Sequence, residues 1–194
     1  MGLTQTRPGM RPDHVSLGKL RVAVALRPSQ DPVDDMKRQR VYTDTSVIGG
    51  CFDPEFDRWS NGLFEDFRLG LFVPVVSSVV AAEIEKAPET VRAAYDELLA
   101  LEAEVLLVTD EALDLVDAYL ERGVLTPKFY DDATHIALAT LSGVDLVVSW
   151  NFRHIVHYDK IRMFNAVNLE RGYKPVQIYS PREVTHHGEA EEGD

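Results

Sequence analysis

The chain has 194 residues, 45 % of them hydrophobic, enough for one ordinary domain with a real core. Acidic residues outnumber basic ones 32 to 20, so the net charge is −12 and no overall field draws in nucleic acid. A single cysteine, Cys51, excludes an intrachain disulfide and fits a reducing cytoplasm, and no apolar run approaches the ~20 residues of a membrane span. Residues 1–35 are rich in Pro, Gly and polar residues and read as a disordered leader or a misassigned start, with LRVAVAL as an isolated strand-like run. The folded domain is expected over 36–185, followed by a disordered acidic tail, 186–194.

From residue 40 strand-like and helical patterns alternate. RVYTD is a strand, and DRWSNGLFEDFRL (57–69) is a helix with Trp59, Leu63, Phe64 and Phe67 on one face, stopped by Gly70. LFVPVVS is a strand whose Pro74 points to an edge or a strand end. Ser77 or Ser78 caps a helix to about Lys86, and Pro88 opens another to about Leu101. EVLLV is a strand, and Thr109 or Asp110 caps a helix that ends at Gly123. Residues 126–142 contain a helix stopped by Gly143, DLVVS is a strand, 158–171 is helical, and PVQIY is the last strand. Five strands separated by helices predict an α/β domain with a mostly parallel sheet. In such sheets ligands bind outside the carboxyl ends of the strands, at a topological switch point.

Four segments carry the chemistry. VYTDTSVIGG places Asp44 at a strand end, where it can hold a ligand or cap a helix. SSVVAAEIEK sets Glu83 among apolar neighbours, so it needs a cation or hydrogen bonds, whereas Glu85 reads as its solvated counterpart. FYDDATHIALAT opens a helix with Asp131 and Asp132. Asp132 shares a stripe with Ile136 and Ala139, and His135 falls within one turn of both acids. DLVVSWNFRHI ends a strand with Ser149 and Asn151, and Arg153, His154, His157, Lys160 and Arg162 follow as the most basic stretch of the core. Acids far apart in sequence, gathered by a parallel sheet, suit a hard cation such as Mg²⁺ or Mn²⁺ and hydrolysis of a phosphodiester. Phosphate-loop, dinucleotide-fingerprint, C-x-x-C and nucleophile-elbow motifs do not occur.

Taken together, these motifs resemble the PIN-domain family, and within it the VapC-like toxins, over about 37–184. The resemblance implies a Rossmann-like three-layer α/β/α sandwich and a Mg²⁺- or Mn²⁺-dependent endoribonuclease. It implies that Asp44, Glu83 and Asp132 hold the metal and that Asn151 completes the catalytic set. Ser149, Thr45 and Ser46 are expected to position water or phosphate, and Arg153, His154, His157 and Lys160 to meet RNA. Asn151 stands where many relatives have a fourth Asp, which removes one negative charge. The resemblance also implies a cytoplasmic homodimer paired with an antitoxin protein. The alternative is a catalytically weak or inactive PIN-like module that binds RNA or a protein partner.

Overall fold

The computed structural model describes residues 38–187. The expected leader, 1–35, and the tail from 188 onward lie outside the described residues. The sheet comprises β1 (Gln39–Thr43), β2 (Phe72–Ser77), β3 (Glu104–Leu106), β4 (Leu146–Val148) and β5 (Ile178–Tyr179). All pairings are parallel, in the order β3-β2-β1-β4-β5. β1 is central, and the chain reverses its direction of progress across the sheet between β1 and β4.

Side-chain alternation splits the core into two layers. Tyr42, Val75 and Val147 face one way and pack on α5 (Asp110–Glu121), α6 (Tyr130–Ser142) and α7 (Tyr158–Glu170). Val41, Val76 and Val148 face the other way. They pack on α1 (Thr45–Gly50), α2 (Asp57–Arg68), α3 (Ser78–Ile84) and α4 (Glu89–Ala100). The molecule is thus a three-layer α/β/α sandwich around a parallel sheet. Each fully buried Val, Leu or Phe in these layers contributes about 1.5–3 kcal/mol. At the amino end of the sheet Arg40 clamps the strands: its guanidinium pairs with Glu104 at 2.7 Å and also reaches the Ser142 carbonyl at 2.8 Å. This leaves the opposite, carboxyl end open for a site.

Helix boundaries follow local chemistry. Ser77 and Thr109 cap α3 and α5 by accepting from Val80 N and Ala112 N. Gly143, at φ 60°, ends α6 in the left-handed conformation. Three details depart from the sequence expectations. Pro74 lies in an interior strand, but the β2–β3 ladder begins only at Val75, so Pro74 flanks an unpaired stretch. TSVIGG forms the six-residue α1, the helix implied by the capping reading of Asp44, and PREV forms α8 (Pro181–Val184), for which the sequence reading has no element. His186 and His187, assigned to the tail on composition, are held by the fully buried Asp66. Its carboxylate accepts from Thr185 Oγ1 and His186 N at 2.8 Å and meets His187 Nδ1 at 2.5 Å.

Gly50 ends α1 against the Trp150 indole, whose Nε1 donates to Ser60 Oγ at 2.8 Å. A Cβ on residue 50 would stand 2.5 Å from Ser60 Oγ and 2.8 Å from Trp150 Nε1. Neither partner can retreat without breaking that bond. Gly50→Ala is therefore expected to cost about 1–3 kcal/mol by overpacking, seen as a lower denaturation midpoint with altered tryptophan fluorescence.

Candidate active site

The carboxyl ends of β1, β2 and β4 deliver the candidate residues to one place. Asp44 directly follows β1, Ser149 and Asn151 follow β4, and α3 leaves β2 carrying Glu83. Asp132 enters from the first turn of α6. Asp44, Thr45, Ser46, Glu83, Asp132 and Asn151 line a cavity of about 560 Å³, together with Lys86 and His135.

Asp44 is 5 % exposed and is held on both oxygens. Oδ1 accepts from Ser46 Oγ at 2.5 Å and from Val47 N at 3.3 Å, and Oδ2 accepts from Ser149 Oγ at 2.6 Å. The two hydroxyls are themselves fixed by main-chain donors: Trp150 N to Ser46 Oγ at 2.8 Å, and Asn151 N to Ser149 Oγ at 2.9 Å. Asp44 is therefore both the cap of α1 and a cavity residue, so the two readings of its position coincide. Burial, the largest influence, pushes its carboxyl above the usual range; His135, Ser149, Ser46 and the Val47 amide oppose this without cancelling it.

A second chain of hydrogen bonds crosses the sheet. Ser77 Oγ meets the Tyr42 hydroxyl at 2.8 Å, and that hydroxyl meets His135 Nδ1 at 2.6 Å. His135 Nε2 faces Glu83 Oε2 at 3.5 Å, and Thr45 Oγ1 donates to the same carboxylate oxygen. Burial pushes His135 down, but Glu83, Asp44 and Asp132 outweigh it and hold the imidazole above its ordinary value. Burial likewise pushes Glu83 up, but His135, Thr45 and Lys86 outweigh it and hold the carboxyl below its ordinary range. The Tyr42 phenol, deeply buried, is kept neutral.

The third acid is held by the loop after β4. Asn151 Nδ2 donates to Asp132 Oδ1 at 3.0 Å, while Asn151 Oδ1 accepts from His154 N at 3.0 Å. His154 Nδ1 lies 2.9 Å from Asp132 Oδ2, and its ring packs on Phe129 with centroids 3.7 Å apart. An aspartate at 151 could not donate to Asp132, so the amide has a defined role here. Asp131, by contrast, is exposed.

Ser46, Ser149 and Thr45, expected to position water or phosphate, direct their hydroxyl protons at Asp44 and Glu83. In doing so they orient the two carboxylates. Of the expected RNA-facing residues, His154 turns onto Asp132, Arg153 and His157 are exposed, and the Lys160 ammonium donates to the Val124 carbonyl. None of these four lines the cavity. Cys51 is buried and its thiol is pushed up to about 12, as expected of a small hydrophobe.

Three residues gained importance from the fold. His135 stands in the sequence only as a residue within one turn of both acids, and the fold turns it onto Glu83 and Tyr42. Lys86 lies one turn from Glu83, and Tyr42 shares a strand face with Asp44; both spacings are readable in the sequence. All three depend on which helix faces which strand end.

The donor set suits a hard divalent cation: three carboxylates from separate elements line one cavity, and one is buried and raised. Among the described residues, however, no group of three acid, His or Cys side chains converges on one point. Each acid is satisfied by protein donors, so a cation would have to exchange with them.

Two solved structures are similar in fold. VapBC2 from Rickettsia felis, bound to a DNA fragment from their promoter, matches 73 % of this chain and 98 % of that chain, with 14 % identity and a TM-score of 0.46. FitAB bound to the IR36 DNA fragment matches 76 % of this chain and 99 % of that chain, with 13 % identity and a TM-score of 0.48. No family model and no curated protein matches the chain.

The electrostatics fix how metal-free protein responds to pH. Glu83 has a lowered pKa, so its contribution is complete above the ordinary value of 4.5 and is lost as pH falls through the depressed one. His135 has a raised pKa, so its contribution is complete below 6.5 and is lost as pH rises through the raised value. Asp44, also raised, contributes below 3.8 and becomes a cost as it ionises. Urea midpoints across pH are expected to decline on the alkaline side, and His135→Gln to flatten that decline. Asp44→Asn is expected to stabilise metal-free protein at neutral pH by roughly 1 kcal/mol, about 2–4 °C in Tm. A lower Tm would contradict the reading of Asp44 as a carboxylate that burial disfavours.

Proposed function

We propose that the chain is a Mg²⁺- or Mn²⁺-dependent endoribonuclease that hydrolyses RNA phosphodiester bonds. The observation that supports this most is that Asp44, Glu83 and Asp132 line one open cavity at the switch point of the sheet, with Asn151 beside them. Those three acids would hold the cation. When bound it would orient a water, lower the pKa of that water and offset charge on the leaving oxygen. Ser46, Ser149 and Thr45 keep the carboxylates oriented, and Asn151 with His154 keeps Asp132 turned inward. Lys86 and His135 bring positive charge to a cavity that would otherwise repel a phosphate. The motif resemblance adds a toxin role, a protein antitoxin, a homodimer and a cytoplasmic location to the proposal.

A second reading has one observation in its favour. All three acids are satisfied by protein groups and no three-ligand cluster is preformed among the described residues, as suits a non-catalytic RNA- or protein-binding module. Cleavage of defined single-stranded RNAs separates the two. The nuclease reading expects cutting in Mg²⁺, loss of cutting in EDTA, and a drop of at least about 100-fold for Asp44→Ala with the fold intact. Cleavage indifferent to EDTA and to that substitution would overturn it, and binding without cutting would favour the module.

A further inference from the structure

A second recess, of about 700 Å³, lies on the other side of the loop that follows β4. Phe56, Trp59, Trp150, Phe152, Ser180 and Arg182 line it. Trp150 and Phe152 flank Asn151 in the chain, so one three-residue segment lines both cavities and neighbouring Cα atoms are about 3.8 Å apart. Whatever occupies the acid cavity ends within a few residues' reach of an aromatic surface.

The floor of this recess is rigid. The Trp150 indole is pinned by Ser60 and stacks on Phe56, with centroids 4.5 Å apart and planes 26° apart. Gly50, which has no Cβ, lets the indole lie close against α1. The upper wall is exposed: Phe152 is 48 % accessible and its centroid stands 5.9 Å from that of Trp150. Trp59 carries guanidinium groups from Arg58 at 4.6 Å and Arg182 at 5.6 Å. Arg153 follows Phe152 and is exposed. Rigid aromatic faces stand here beside the Arg182 guanidinium, with Glu55 and Glu183 also in the lining. Single-stranded nucleic acid is held by this combination: bases stack on aromatic rings and arginines meet the backbone.

We propose that the Phe56–Trp59–Trp150–Phe152 recess is a stacking subsite for a nucleobase of single-stranded RNA whose neighbouring phosphate enters the acid cavity. This deepens the ribonuclease reading and rests on it for the position of the phosphate. The shared 150–152 segment favours RNA over a protein ligand, because a polynucleotide presents a flat base and a phosphate to adjoining sites at once. Phe152 is the exposed wall against which the base stacks, and Arg182 faces the backbone.

The test uses the full chain in the Asp44→Asn background with Mg²⁺ present, which the nuclease reading expects not to cut. Binding of a fluorescein-labelled single-stranded oligoadenylate is read by polarisation, and a gel checks that the probe stays whole. Adding Phe152→Ala is expected to weaken binding about 5- to 100-fold, with Tm unchanged because the ring is exposed. Phe152→Tyr is expected to restore it. An abasic nucleotide at one position of the probe is expected to cause a similar loss, and no further loss once Phe152→Ala is present. Unchanged affinity in Phe152→Ala, or no binding by its parent, overturns the subsite; unchanged affinity leaves the recess to a protein partner. A cut probe overturns the catalytic assignment of Asp44 and leaves the Phe152 comparison, read on a phosphorothioate probe, to judge the subsite separately.

Discussion

The structure depends on a carboxylate that is nearly dry. Asp44 sits at the end of the central strand, where the chain's progress across the sheet reverses, and is anchored by Ser46, Ser149 and the Val47 amide. Those same hydroxyls accept main-chain donors from Trp150 and Asn151, so α1 and the β4 loop are tied together through this side chain. A buried charge is costly unless paired. Here the pairing is made of dipoles and the His135 imidazole, which reduces the cost without removing it, and Asp44 stays raised. The site is therefore preorganised and at the same time left short of positive charge.

The other two acids are arranged differently. Glu83 leans on His135 and Thr45, and Asp132 leans on Asn151 and His154. These partners hold the carboxylates facing the cavity while keeping them from collapsing onto one another. Like charges in a low-dielectric site repel strongly, so separation is the expected state without a cation. The absence of a tight three-acid cluster among the described residues is consistent with that repulsion. The Tyr42–His135–Glu83 relay couples this half of the site to the core face of the central strand, so the site's electrostatics and the packing of β1 cannot be altered independently.

Much of the frame was legible from local pattern. Strands and helices alternate with clear periods, Gly143 stops its helix through a positive φ, and Ser77 and Thr109 cap theirs. The placement of Asp44, Glu83, Asp132 and Asn151 around one cavity agrees with a parallel sheet read at its carboxyl end. What local pattern could not supply is contact between distant elements. α1 is implied in the sequence only by the capping reading of Asp44, because β-branched Val47 and Ile48 beside two glycines are weak helix formers; tertiary packing and the Asp44 cap stabilise it. The hydroxyls of Ser46 and Ser149 gave no sign in the sequence that they would bond to Asp44. Trp59 was placed on a core face by period, yet it ends at the rim of a second recess under two arginines. Lys160 was grouped with its basic neighbours, yet it caps the Val124 carbonyl.

The central claim is that the raised, buried charge of Asp44 is relieved by a divalent cation shared with Glu83 and Asp132. Calorimetric titration of Mn²⁺ into the intact chain at weakly acidic pH, in buffers of different ionisation enthalpy, tests it most directly. The account predicts a saturable heat at a defined site, proton release on binding, and loss of both in Asp44→Asn. Equal heats in parent and variant, or saturable binding without proton release, would contradict it.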